Sequence, residues 1–149
     1  MALEQNYTKD ARIFIGEDKT LFYPVYDQTD KTDAELLAAI EAGTAVPIDV
    51  SSYSLAWILR KNDNTIDPPL IEKESFAGIS VVGTFNVDPD VNTQKIAVVL
   101  EDTDTWDESS PAVAFKAGKK RYSLKRTDPG LETVLAFGYI DFMMATARA

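Results

Sequence analysis

The sequence predicts a mainly β protein, a single β-sandwich of about eight strands with one short inserted helix near residues 33–42. Three observations carry that prediction. Most apolar residues fall in runs of five to ten that alternate with polar ones, the period of a half-buried strand. Proline and glycine sit between these runs, where they punctuate strands. Only one stretch carries the start and stop signals of a helix.

In chain order, residues 1–10 are polar and are expected as an N-terminal arm, with one domain over residues 11–149. Arg12-Ile13-Phe14-Ile15 reads as a short strand closed by Gly16-Glu17-Asp18. Residues 21–26 form a second, and Pro24, which cannot donate to a ladder, places it at an edge or bulge. Thr32 followed by Glu35 fits a capping box, Leu36, Leu37 and Ile40 supply an apolar stripe, and Gly43 suits a C-cap. So short a helix is marginal alone and is expected to cover one end or edge of a sheet.

The clearest strand is 53–60, with Tyr53, Leu55, Trp57 and Leu59 on one face and Ser54, Ala56, Ile58 and Arg60 on the other. Asn62-Asp63-Asn64 reads as a turn, and strands follow at 70–74, 79–85, 95–100 and 112–116. Residues 119–126 alternate Tyr122 and Leu124 inward with Arg121, Ser123 and Lys125 outward. Asp128-Pro129-Gly130 then turns the chain into a partner strand over 133–144, in which Gly138 is expected to mark a bulge or kink. A small barrel is the alternative closure of the same strands.

Composition narrows the chemistry. There are no cysteines and no histidines, which removes disulfides, thiolate nucleophiles and the commonest general base and metal ligand. No cofactor and no catalysis are expected. A net charge of −9 opposes nucleic acid and anionic membranes, and favours solubility of free copies. No apolar run approaches a membrane span, and the first residues lack the basic start and apolar core of a signal peptide, so cytosolic synthesis is expected.

Several segments invite a sharper reading beside a plain one. Asp88-Pro89-Asp90-Val91-Asn92 begins like a calcium loop but lacks the glycine and glutamate an EF-hand needs, at Thr93 and Val99, so a solvated turn is favoured. The acidic run 101–108 offers carboxylates for a cation, or Asp104 and Asp107 as an acid/base pair. Asp102 and Thr103 are equally good turn or helix-start residues. Lys116, Lys119, Lys120, Arg121, Lys125 and Arg126 form a basic strand. It suits an acidic partner surface or a neighbouring copy's 101–108 run better than nucleic acid; edge protection is the plain reading. Trp57 is expected in the core, and Trp106 as an interface anchor. Phe142-Met143-Met144 is apolar on both faces, which fits a strand buried on both sides or a subunit contact.

The order of these pieces resembles accessory virion proteins of tailed bacteriophages with an immunoglobulin-like β-sandwich, as in the N-terminal domain of baseplate upper proteins. The resemblance runs through Leu21-Phe22-Tyr23-Pro24-Val25-Tyr26-Asp27, Trp57-Ile58-Leu59-Arg60, Val99-Leu100-Glu101-Asp102-Thr103, and residues 118–130 with 133–138. It implies an immunoglobulin-like fold and a structural protein made in the bacterial cytoplasm and assembled into a virion. The implied partners are other virion proteins (major capsid, neck or tail subunits) and copies of itself. The helix at 33–42 and the lack of a C-terminal extension depart from the baseplate proteins, so capsid decoration or another head-associated role is expected first. A neck, tail or baseplate part is the alternative. The expected contact residues are Trp106, Lys119, Lys120, Arg121, Lys125, Phe142, Met143 and Met144. Two readings of other classes are a carbohydrate-binding sandwich, which needs Trp57, Trp106 or Tyr139 as an exposed platform, and a carboxylate hydrolase, which needs a buried acidic pair.

Overall fold

Alternation is realised as β-structure almost throughout, and the strands join into one hydrogen-bonded path. The computed structural model describes residues 3–7, 11–61, 69–105 and 117–143. Its elements are β1 (Leu3–Glu4), β2 (Ile13–Phe14), β3 (Lys19–Tyr23), α1 (Asp33–Ala42), β4 (Leu55–Arg60), β5 (Ile71–Ser75), β6 (Gly78–Val82), β7 (Lys95–Leu100), α2 (Asp102–Thr105), β8 (Gly118–Arg126) and β9 (Thr133–Met143). The strand order is β1-β9-β8-β4-β5-β6-β7-β3, with β2 also on β9. The path narrows at β5–β6, where two residue pairs join the strands, as many as join β1 to β9. There it passes from one layer to the other, so sandwich and barrel merge into a nearly closed sandwich. The expected turn at 62–64 and strand at 112–116 lie outside the described residues. Among the described residues no helix is long and apolar enough to cross a membrane.

The core follows from the inward face of each strand. Leu55, Trp57 and Leu59 of β4 are buried, as are Tyr122 and Leu124 of β8 and Ile96, Val98 and Leu100 of β7. Trp57, 0% exposed, stacks on Tyr122 with ring centroids 5.7 Å apart and planes 20° apart. Its indole N–H donates to the Tyr23 hydroxyl at 3.1 Å, tying β4 to β3 across the core. Tyr7 stands edge-on to Tyr23 at 6.4 Å and tilted against Tyr122 at 5.9 Å.

That placement of Tyr7 revises the expected N-terminal arm. Residues 3–7 run parallel to β9: Leu3 is opposite Ala136, Glu4 opposite Phe137, and Tyr7 bridges Ile140. Tyr7, 8% exposed, belongs to the core, and Tyr122 Oη donates to the Gln5 carbonyl at 2.6 Å. Polar sequence concealed this because an edge strand hides only one residue in two. Gly138 serves the same contact. A Cβ there would collide with the Gln5 carbonyl and the Asn6 side chain, so the glycine is a close-approach site rather than the bulge. The register shift lies nearby, where Leu124 faces Ala136 and Lys125 faces Val134.

The α1 ends form as expected. Thr32 and Glu35 close the capping box, and Gly43 takes the left-handed cap with φ 73°. Its apolar stripe is narrower than the pattern suggested, with Leu36 buried and Leu37 exposed.

Tyr7→Ala should lower stability by about 3 kcal/mol, the scale of a truncated core aromatic. An unchanged thermal midpoint would return residues 3–7 to a free arm. A second outcome concerns alkali. Burial pushes the hydroxyl pKa of Tyr7, Tyr23 and Tyr122 above the ordinary tyrosine value. A folded-state pKa above the unfolded one gives stability that is whole below about pH 10 and declines as pH rises further. Denaturant midpoints measured from about pH 8 to 12 should therefore fall steeply above the ordinary tyrosine range. A flat profile would contradict the buried cluster.

Candidate functional site

The sandwich is incompletely closed at the end where β3 leaves, β4 and β9 begin, and β8 stops. A cleft of about 310 Å³ opens there, floored by Val25, Ile48, Tyr53 and Leu135. These four side chains are partly buried against the core, so the cleft is where the core comes closest to solvent. One wall is the long excursion between β3 and β4, whose two limbs pair through Tyr26 and Pro47. Hydrogen bonds run from Asp27 N to the Val46 carbonyl at 2.7 Å and from Ile48 N to the Val25 carbonyl at 3.1 Å. Helix α1 is carried at the tip of this excursion. The base is held by Gln94, which accepts from Val50 N at 3.0 Å and donates to Asp49 at 2.9 Å.

The opposite wall comes from a β-bulge. Leu135 is the extra residue between the Ala136 and Val134 pairings, and the bulge releases it from the outer face to line the cleft. Beside it the Arg126 guanidinium lies 3.8 Å over the Tyr53 ring and pairs with Asp128 at 2.8 Å. Asp128 also accepts from Ser54 N at 3.0 Å, and these bonds hold its carboxyl below the usual range. Asp27 is held low as well, by the Thr29 hydroxyl and N–H. Gln28 Oε1 is buried in the rim with no hydrogen-bond partner. An apolar floor, a fixed cation and an acceptor in want of a donor suit binding. The displaced carboxyls of the rim are displaced downwards, away from the range of a general acid.

At the same end of β4 stands a feature of another kind. Phe76, in the turn between β5 and β6, is fully exposed, with φ at 66° in the left-handed region. The turn is fixed around it by Ala77 N donating to the Glu74 carbonyl at 2.9 Å and Phe76 N to the Ile79 carbonyl at 3.1 Å. Ser75 Oγ accepts from Leu55 N at 2.9 Å, which anchors the turn to the start of β4. An aromatic residue in this region is uncommon and costs about 1–2 kcal/mol. Here that strain is combined with full exposure of a benzyl group.

The residues predicted as contacts scatter. Lys119 is exposed and Arg121 and Lys125 half-buried on the outer face of β8. Arg121 covers the Tyr139 ring at 4.0 Å and donates to its hydroxyl, while Lys119 Nζ lies 6.0 Å from the same ring. Lys120 turns inward and is 8% exposed, and Phe142 is in the core, so neither offers a surface for a partner. Met143 faces outward, half-buried, its sulfur accepting from Arg12 at 3.3 Å. Trp106 and Met144 lie outside the described residues. Edge protection does not explain the basic strand, because β8 is paired on both sides, by β4 and β9.

In the described part of the acidic run, the Asp104 carboxylate, the Asp102 N–H and the Thr105 hydroxyl are engaged within the chain. Asp104 pairs with Lys73 at 2.8 Å, Asp102 N donates to Asp18 at 2.8 Å, and Gly16 N donates to Thr105 at 2.7 Å. Asp88 and Asn92 likewise accept from the backbone at Asp90 and Asn86, closing their own turn. As for the aromatic platform, Trp57 is buried and the Tyr139 face is taken by Arg121.

No family model matches the chain, and no curated protein matches it. The cleft and Phe76 were not legible as a site in the sequence. The one available signal was Phe76 itself, a bulky apolar residue just ahead of Ala77-Gly78 between two strand runs.

Replacing Phe76 by glycine removes the strain without uncovering core. Phe76→Gly should raise stability by about 1 kcal/mol, or about 2–4 °C in thermal midpoint. A lower midpoint would show that the ring supports the fold.

Proposed function

We propose that this chain is a structural, non-catalytic component of a tailed-phage particle that holds neighbouring virion subunits together. Capsid decoration or another head-associated position is the first assignment, and neck, tail or baseplate the alternative. The observation that carries this reading is Phe76. A sequence that places a fully exposed aromatic ring on strained backbone loses folding free energy at that position. Such a residue is explained when the ring is buried against something else.

The rest of the molecule supports a holding role. The core is packed around a hydrogen-bonded aromatic cluster. A well-packed domain presenting a protruding aromatic ring suits a part that is held by its neighbours. The resemblance to immunoglobulin-like accessory virion proteins supplies the kind of neighbour, and the mainly β sandwich agrees with it.

The test is biochemical fractionation of particles. Virions purified by density gradient from an infected lysate, analysed by mass spectrometry, should contain this chain in multiple copies per particle. Its recovery only in the soluble, particle-free fraction would overturn the proposal.

A further inference from the structure

The open-end cleft joins an apolar floor to an acidic rim. The floor is the group of hydrophobics that the core leaves partly exposed, Val25, Ile48, Tyr53 and Leu135. On the rim, Asp128 neutralises Arg126 through their 2.8 Å ion pair, and the remaining charge is that of Asp27. Both Thr29 donors go to Asp27 Oδ1, the N–H at 2.8 Å and the hydroxyl at 2.6 Å. They keep the carboxyl ionised at neutral pH, and Lys31 favours the charge at longer range. Asp27 Oδ2 is left without a hydrogen bond or ion pair among the described residues.

We propose that the cleft receives a lysine or arginine side chain of a basic partner protein, with its aliphatic stem on the floor and its cationic head at Asp27 Oδ2. The inference deepens the holding role above and rests on it for the partner being a protein. Size is the first argument. A cavity of about 150 Å³ holds a benzene ring, and the cleft, at about 310 Å³, admits a basic side chain with its head group. Such side chains lay an apolar stem on apolar surface and keep a charged end for the rim.

Charge is the second argument. The chain already uses this chemistry at the mouth of the cleft, where Arg126 lies 3.8 Å over the Tyr53 ring and gives its Nε to Asp128. An entering cation finds the next carboxylate, Asp27, with one oxygen open. Gln28 Oε1 is closed off in the rim without a partner. A turn of its terminal amide, a soft torsion, brings it to face an entering N–H. The net charge of −9 decides between candidates for the same cleft. It repels a second copy and attracts a basic partner, most strongly at low ionic strength.

The test is an amide NMR titration at low salt. The probe is a capped alanine peptide with one central lysine, beside versions with arginine, norleucine or glutamate in its place. Shifts should gather at residues 24–29, 48, 53, 126, 133 and 135. The lysine and arginine peptides should bind at least about 10-fold more tightly than norleucine, the scale of a hydrogen bond to a charged group. Glutamate should not bind, and added salt should weaken the basic peptides. Asp27→Asn keeps the Oδ1 acceptor for Thr29, so it should keep the fold and lose the preference for charge. Glu101→Gln, in the polar cleft at the other end, should change nothing. Norleucine bound as tightly as lysine, no shift at the cleft, or lysine-dependent shifts centred on 18–20 and 99–102 would overturn the inference. A chain that fails this titration but is found in virions keeps the structural role and loses this contact. Binding at the cleft by a chain missing from virions would leave the site standing and remove the virion role.

Discussion

The stacking of Trp57 on Tyr122, with the Tyr23 hydroxyl accepting from the indole, is the contact on which the rest of the fold depends. It joins β4 and β8 of one layer to β3 of the other. Tyr7 brings the N-terminal strand to the same point. Each ring buries a large apolar area, and each polar atom there must find a partner or the burial is lost. Tyr122 finds one in the Gln5 carbonyl, and Tyr7 in the Gln5 side chain, which donates to it at 2.8 Å. The edge strand is therefore held from inside as well as by its ladder.

Closing the core at its middle leaves the two ends to be finished separately. At one end the acidic turn does so: α2, Asp18 and Lys73 exchange hydrogen bonds that lock β7 to the chain ahead of β3. At the other, the excursion carrying α1 stands to one side, and the bulge at Leu135 faces it across a gap. The two ends differ in chemistry for that reason. One is polar, with Asp18, Lys19, Glu101 and Asp102 around a cleft of about 420 Å³. The other is an apolar floor beneath a rim that contains an unpartnered amide oxygen.

Much of the fold was legible because alternation and capping are local signals. The faces of residues 53–60 and 119–126, the Thr32–Glu35 box and the Gly43 cap all follow from residues a few positions apart. What escaped was long-range. Residues 3–7 look polar because their burial depends on β9, more than a hundred residues away. Gly138 reads as a kink until the Gln5 carbonyl is seen against it. Alternation from Tyr122 and Leu124 also turns Lys120 inward, but its charge argues for the surface, and Phe142 lies in a run apolar on both faces, so spacing alone leaves it between core and contact. The cleft brings Pro24, Ile48, Tyr53, Arg126 and Leu135 together from separate stretches of the chain, so no spacing rule reports it.

The proposed holding role assigns the surface around Phe76 to a partner rather than to solvent. Exposure of the ring and strain at its backbone both disfavour the free chain, and burial in an assembly offsets the first. Amide hydrogen exchange compared between the free chain and the assembled particle tests this most directly. New protection is expected at residues 74–79, with the already buried strands little changed. Protection confined to other surfaces, with 74–79 exchanging as fast in the assembly as in the free chain, would contradict it.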